Sequence, residues 1–437
     1  MKLRRSIVAI GAIAAASALA LSGCSGGGGG AADKEVEILG AFETEQAEAF
    51  QAELDAWSKD SGITVKYSGT SDFQTAVVAR VTAGNAPDIA IYPQPGVMKG
   101  QVDSLISYED LGIDVAALTS DEAQGLPEIG QVDGKTYALP YSINVKSLVW
   151  YNPAAFTAAG YTVPTSDDEL LALEKQIVAD GAGYPWCAGI ESGGATGWAA
   201  TDWLEEYVLR LGGLDTYNDW ISHKVTFQDD IIKEAAERVE QTLLAPGQVN
   251  GGGAAIATTN FGSAGNQLFV TGKDQGQCFM MRQGTFIADF FPDDIKAQIA
   301  DGDYSNVDLF PLPAPSGATN GVLGGGDIVG AFSDDDSTKA VLEYITSKDF
   351  GSNGYAKGFT SFLSPHADFD ASLYPSKFTQ SAADVVANAD AFGFDASDQM
   401  PGAVGSGTEW TALTAWFIGQ SSLDDALKQI DDAWPSS

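Results

Sequence analysis

The chain has 437 residues, of which 44% are hydrophobic and 19% are charged, and its formal net charge at pH 7 is −36. This composition excludes a disordered chain, because it supplies enough apolar surface for two or three packed domains. The acidic balance argues against nucleic-acid binding, which needs patches of Lys and Arg. A cationic ligand would gain from such a field, but a solvated acidic surface explains the same composition. The charge by itself therefore identifies no ligand.

The first residues have the organisation of an export signal. Three cations precede an apolar run over 7–21, which is too short for a membrane-spanning helix and ends at Leu21-Ser22-Gly23-Cys24. A cysteine after Leu-Ser-Gly resembles the bacterial lipobox, where the cysteine carries lipid and becomes the first mature residue. We therefore predict a lipoprotein signal peptide over 1–23 and a lipid anchor on Cys24. The alternative is a chance cysteine in an uncleaved anchor.

Cleavage there would remove the three cations and take the charge from −36 to −39. A flexible glycine-rich tether is predicted over 24–33. Beyond it, Cys187 and Cys278 remain, an even number in an oxidising compartment, and we expect a disulfide between them; the alternative is two buried thiols. His223 and His366 are not spaced like zinc ligands, so neither a metal nor a cofactor is expected.

From residue 34 onward the pattern alternates between strand and helix. The sequence predicts strands over 36–42, 63–67 and 88–92, with a helix between each pair, and Ser71 or Asp72 is predicted to cap the second helix. This order predicts right-handed crossovers and a parallel sheet. In such sheets ligands bind beyond the carboxyl ends of the strands, which here are Glu43-Thr44-Glu45 and Tyr92-Pro93-Gln94-Pro95.

The middle and end of the chain have shorter signals. Asp133-Gly134 predicts a hairpin turn. The remaining predictions are strands over 146–150, 277–283 and 328–332, a helix opened by Asn152-Pro153, a helical tail over 410–434, and loops over 309–315 and 324–327.

Several apparent catalytic motifs do not have the context that they need. Gly134-Lys135-Thr136 resembles the end of a phosphate-binding loop, but Ile129 stands where that loop needs glycine. A Gly-x-Ser-x-Gly pattern falls at 23–27, inside the lipobox and tether, and the glycines at 324–326 lack a strand-turn-helix setting. Among 59 acidic residues some pairs are inevitable, so a lipid-anchored glycoside hydrolase stays as an alternative to a non-enzymatic protein.

One segment has the chemistry of a sugar site. A sugar offers hydroxyl groups and apolar C–H faces, so its site needs aromatic platforms together with carboxylates and amides. Glu191, Trp198, Asp202 and Trp203 supply both within thirteen residues. For Trp186 and Trp203 the favoured interpretation is that each fills the core of the second lobe, whereas the glycines before Trp198 predict a loop and favour Trp198 as the platform. Glu43 could instead complement a helix dipole.

Four motifs, in order, resemble one family. Ala83-Gly84-Asn85-Ala86-Pro87-Asp88-Ile89 is similar to the "AGxxPDI" signature of the bacterial extracellular solute-binding family 1, the maltose-binding-like carbohydrate receptors. Val149-Trp150-Tyr151-Asn152, the stretch 278–286 and Leu309-Phe310-Pro311-Leu312-Pro313 resemble further segments of that family. The α-glucoside-binding branch is the most similar. Phe286 replaces a usual tryptophan and Pro95 a common acidic residue, which puts maltodextrin specificity in doubt.

The resemblance implies an α/β fold of two lobes, the type II periplasmic-binding-protein fold, in which each lobe is a mixed, mostly parallel sheet flanked by helices. Lobe 1 would comprise 34–143 plus 305–352, and lobe 2 would comprise 144–304 plus 353–437. The implied ligand-binding residues between the lobes are Glu43, Tyr92, Gln94, Lys146, Glu191, Trp198, Gln283, Phe286, Asp327 and Trp410.

The implied function is that of a monomeric receptor on the extracytoplasmic face of the membrane, held there by Cys24. It would close on an α-glucoside or another oligosaccharide and deliver it to the permease subunits of an ABC importer. A receptor of the same fold for a non-sugar solute, such as a polyamine, is the second alternative.

Overall fold

The computed structural model describes residues 35–70, 72–358 and 362–435. The predicted signal peptide, Cys24, the tether and the Ser71 cap lie outside those residues. Within the described part, every helix is too short or too polar to cross a membrane.

Twelve strands occur in the described residues. They are β1 (Glu35–Gly40), β2 (Thr64–Gly69), β3 (Ile89–Tyr92), β4 (Gln131–Val132), β5 (Lys135–Thr136), β6 (Leu139–Val145), β7 (Leu148–Tyr151), β8 (Tyr184–Trp186), β9 (Cys278–Arg282), β10 (Asp308–Pro311), β11 (Gly321–Ala331) and β12 (Ala391–Phe394).

The α-helices surround these strands. They are α1 (Thr44–Ser61), α2 (Phe73–Thr82), α3 (Pro95–Lys99), α4 (Val115–Leu118), α5 (Pro153–Ala159), α6 (Asp167–Asp180), α7 (Trp198–Ile221), α8 (Asp230–Val239), α9 (Gly252–Thr258), α10 (Asp293–Ala300), α11 (Asp336–Ile345), α12 (Tyr355–Gly358), α13 (Lys377–Ala387), α14 (Ala396–Gln399), α15 (Trp410–Phe417) and α16 (Leu423–Asp432). Helix α7 breaks at Gly213, whose φ is 75°, and the tail predicted as helical is divided into α15 and α16.

The first sheet has the order β12-β11-β3-β1-β2, with β6 paired to β11. Strand β1 pairs in parallel with β2 and β3, so the predicted parallel arrangement of the first three strands is confirmed. Helix α1 ends at Gly62, which has the left-handed conformation that is common just after a helix. The predicted hairpin is also confirmed, because β4 pairs antiparallel to β5 across Asp133 and Gly134, which both have positive φ.

The prediction of a loop over 324–327 is wrong, because these residues lie inside β11, the longest of the described strands. A Cβ at Gly324 would overlap the carbonyl oxygen of Asn144 and the ring of Phe392, and a Cβ at Gly326 would overlap the carbonyl oxygen of Ser142. The glycines therefore permit a close approach between neighbouring strands, which a count of turn-forming residues does not distinguish from a loop.

The second sheet has the order β10-β7-β9-β8. Trp186 and Trp203 are buried in its core, 5.3 Å apart between ring centroids, as the core interpretation of these residues predicted. A disulfide joins Cys187, which follows β8, to Cys278, which begins β9, with 5.4 Å between their Cα atoms. It fastens two neighbouring strands at one edge of the sheet.

Sheet membership differs from the predicted lobe ranges at two strands. Strand β10 belongs to the second sheet, although 305–352 was assigned to lobe 1, and β12 belongs to the first sheet, although 353–437 was assigned to lobe 2. Both strands have four residues, and their partners are distant in sequence, so local patterns do not specify the sheet. We propose that the chain crosses between the lobes at 146–147, at 312–320 and at Asp395.

Candidate functional site

The two lobes face each other beyond the carboxyl end of β3, as the strand order predicted. A pocket of about 810 Å³ lies between α2 and α3 of the first lobe and the segment after α14 of the second. Gln94 precedes α3 and lines this pocket, where its side chain accepts a hydrogen bond of 2.9 Å from Gln74. The lobes meet at Gly96, since a Cβ there would lie 2.8 Å from the carbonyl oxygen of Met400.

An aromatic group lies in the second lobe, and we define it as Trp198, Phe261, Phe286 and Trp410. The partly exposed ring of Trp198 is 5.1 Å from Phe261 and 6.0 Å from Phe286 between centroids. Gly197, with φ of 117°, brings Trp198 next to Trp410, because a Cβ at Gly197 would be 2.7 Å from the Cα of Trp410. The structure thus brings the predicted residues Trp198 and Phe286 into ring contact and places the backbone of Trp410 beside the residue that precedes Trp198.

Two details of this surface differ from the sequence interpretation. Trp198 is the first residue of α7 rather than part of a loop. Phe261 was not predicted at all, since it lies in a polar loop far from the other three residues in sequence. The indole nitrogen of Trp410 is buried and has no hydrogen-bond partner among the described residues.

Glu191 lies beside the aromatic group at the edge of the second lobe. Its carboxylate accepts hydrogen bonds from the Asn260 side chain at 2.9 Å and from the backbone N–H of Gly193 at 2.8 Å. These two bonds, with the one from Asn260 the stronger influence, lower the pKa of Glu191. Glu191 therefore stays ionised as an acceptor, while it also holds the loop that precedes Trp198 against the loop that carries Phe261.

The first-lobe wall contains Asp327 within a group of tyrosines. Asp327 lies at an irregularity in the pairing of β11 with β6, and burial raises its pKa to about 7. Burial is the main cause of the raised pKa of Tyr67, Tyr141 and Tyr355, and the charge of Asp327 raises the pKa of each further. None of these tyrosines was singled out in the sequence, because they come from three separate elements. Glu43 is exposed at the start of α1 and makes no side-chain cap hydrogen bond.

Three predicted ligand residues lie in buried positions. Tyr92 is fully buried, and its hydroxyl donates to Gln101 at 3.3 Å. Gln283 is 3% exposed and accepts from the N–H of Gly284. Lys146 is 6% exposed, and its ammonium donates to Asp202 and Asp395, each at 2.7 Å. In this structure all three support the walls of the cleft rather than present a surface in it.

One cluster of carboxylates has the spacing of a cation site. Oxygens of Asp202, Glu205 and Asp395 lie within 4.8 Å of one another and are buried. The Lys146 ammonium bonds two of the three, and Glu205 accepts from the backbone N–H groups of Ala396 and Ser397. Lysine thus occupies the place of the cation in this arrangement.

The chain is similar to known proteins over almost its whole length. The model of the family described as bacterial extracellular solute-binding protein matches residues 43–351. The osmoprotective compounds-binding protein GgtB of Synechocystis sp. is 36% identical over 425 residues, which cover 96% of this chain and 97% of that protein. The alpha-glucosides-binding periplasmic protein AglE of Rhizobium meliloti is 33% identical over 407 residues, which cover 91% and 86%.

Solved structures show the same architecture. The bacterial solute receptor AcbH aligns with a TM-score of 0.75 at 16% identity and covers 91% of this chain and 98% of its own. The cyclic alpha-maltosyl-1,6-maltose binding protein from Arthrobacter globiformis aligns with a TM-score of 0.68 at 20% identity and covers 92% and 98%. With its two sheets, its interlobe cleft and a family match over most of its length, this chain belongs to the bacterial extracellular solute-binding protein family and has the two-lobed type II fold.

Proposed function

We propose that this chain is the substrate-binding lipoprotein of an ABC-type carbohydrate importer and that it binds an α-glucoside or another oligosaccharide. The observation that carries the proposal is the aromatic group with Glu191 at its edge. Apolar ring faces beside an ionised acceptor match the C–H faces and hydroxyl groups of a pyranose. The name of one relative, the alpha-glucosides-binding protein AglE, supports the same ligand class.

In the proposed mechanism the ligand binds to both lobes and favours the closed state. Trp198 and Glu191 would contact it from the second lobe, while Glu43, Gln94 and Asp327 would contact it from the first. Because a ligand shifts an equilibrium only by its difference in affinity for the two states, contacts on both lobes are what couples binding to closure. The closed form would then be the one that a permease recognises.

We further propose that Cys24 carries the lipid anchor and that the tether over 24–33 lets the folded lobes reach the permease from the membrane surface. Gly-rich chains of this kind behave as flexible coils, with an end-to-end distance of about 5–6 Å times the square root of their length.

The test is calorimetric titration of the purified protein with maltose, trehalose and isomaltose, and with spermidine as the non-sugar probe. Micromolar or tighter binding of one α-glucoside, without release of free glucose, is the expected result. Binding of spermidine alone would favour the polyamine receptor, and release of glucose would favour the hydrolase. Either result would overturn the proposal.

A further inference from the structure

Lys146 stands where the chain first crosses between the lobes, between β6 and β7. One of its carboxylate partners, Asp395, lies at the third crossing, directly after β12. The other, Asp202, lies in α7 of the second lobe, one turn after Trp198. A single ammonium group therefore bonds the end of a first-lobe strand to a second-lobe helix.

The backbone around Lys146 contacts the second crossing and the strand β11 that follows it. The N–H of Lys146 donates to the carbonyl of Leu323 in β11 at 2.8 Å, and the carbonyl of Ser147 accepts from Leu312 of the second crossing at 3.0 Å. The Ser147 hydroxyl donates to Glu206 of α7 and accepts from the N–H of Leu323. The position of this dipeptide is thus set by both lobes.

The ammonium also approaches the candidate ligand surface. Its nitrogen lies 5.2 Å from the centroid of the Trp198 ring, within the range of a cation–π interaction. Burial alone would lower the pKa of Lys146, but the carboxylates of Asp202 and Asp395 raise it above its ordinary value, so the group remains charged. Asp398 and Glu205 also raise the pKa of Lys146.

We propose that Lys146 is a positioning residue for ligand binding: its ammonium group joins the first and third crossings to α7 and thereby sets the place of Trp198 relative to the first lobe. The inference rests on the proposed function only where its test measures the affinity for a sugar. Buried ion pairs contribute little net stability compared with apolar replacements, so specificity of arrangement is the role that this one would have. Without the cation, Asp202 and Asp395 would repel each other, and the crossings would separate from α7.

The test compares three variants with the native full chain. Lys146→Met removes the charge at similar length. A triple variant, Lys146→Met with Asp202→Asn and Asp395→Asn, also removes the repulsion, so it stays informative if the single variant fails to fold. Lys377→Met is the matched control, because Lys377 pairs with Asp308 at 2.9 Å away from the crossings.

Two measurements are made on each protein: the dissociation constant for the α-glucoside that the native protein binds, and hydrogen exchange of the 198–202 amides without ligand. For the triple variant we expect at least tenfold weaker binding and at least tenfold faster exchange at 198–202, with a melting temperature close to that of the native protein. Lys377→Met should change neither quantity. Native affinity together with native exchange in the triple variant would overturn the inference.

The two proposals fail in different ways. If the native protein binds no sugar, the proposed function is wrong, and the exchange of the 198–202 amides without ligand still decides the role of Lys146. If sugar binds and the triple variant binds it as tightly as the native protein does, the positioning role is wrong while the function stands.

Discussion

Replacement of Trp198 by alanine shows whether this side chain is a platform for the ligand or a packing residue of the core. In the structure the ring of Trp198 is only partly buried, in contact with Phe261 and Phe286. Truncation of a fully buried tryptophan to alanine lowers the free energy of unfolding by about 3–5 kcal/mol. Because Trp198 is only partly buried, we expect Trp198→Ala to lower it by roughly half as much. Loss of the stacking face should cost binding about 2 kcal/mol, the threshold of an interface hot spot.

Because about 1.4 kcal/mol corresponds to one decade in affinity, Trp198→Ala should weaken binding about thirtyfold in isothermal titration. Trp198→Phe, which keeps a smaller ring face, should lose less. Trp434→Ala is the matched control, since Trp434 is also a partly buried tryptophan, stacked on His223 at 4.2 Å. It should destabilise the protein to a similar extent and leave the dissociation constant unchanged. If Trp198→Ala binds sugar within twofold of the native protein, Trp198 is a packing residue and the reasoning fails.

Four further outcomes are expected. Glu191→Ala should weaken sugar binding at least tenfold, since a charge-assisted hydrogen bond is worth about 1.5–3 kcal/mol; unchanged affinity in titration would leave Glu191 as a loop anchor. Cys24→Ser should move the protein out of the membrane fraction on cell fractionation, and a variant that stays membrane-bound and uncleaved would contradict the lipid anchor. Mass spectrometry of the exported, unreduced protein should find Cys187 joined to Cys278, a link worth roughly 4 kcal/mol in the chain-entropy model, whereas two free thiols would refute it. Burial raises the pKa of Glu122 from 4.5 to about 8, so the native state holds a proton that the unfolded chain has lost. The contribution of Glu122 to stability in urea should therefore fall as the pH rises from 4.5 through 8, by about 1.4 kcal/mol for each unit between the two pKa values, and Glu122→Gln should remove this contribution from the pH slope of the native protein.

The sequence by itself determined the features that depend on neighbours along the chain. The alternation of strand and helix over the first three strands follows from apolar spacing, and the Asp133-Gly134 hairpin follows from two residues that tolerate positive φ. The prediction of an export signal rests on composition and order in the same way. Trp186 and Trp203 could also be placed in a core, since large apolar residues beside a strand or on a helix face have few other places to go.

The tertiary structure alone decided the features that depend on contacts across the chain. The sequence predicted Lys146 as a ligand-binding residue, but its ammonium group is held by two carboxylates that lie 56 and 249 residues away in sequence. Phe261 joins the aromatic group from a separate loop, and the glycines at 324–326 lie in a strand, where the backbone of β6 closely approaches Gly324 and Gly326. Local sequence patterns do not predict such partners, because burial, charge neutralisation and close packing depend on the segments that the fold brings together.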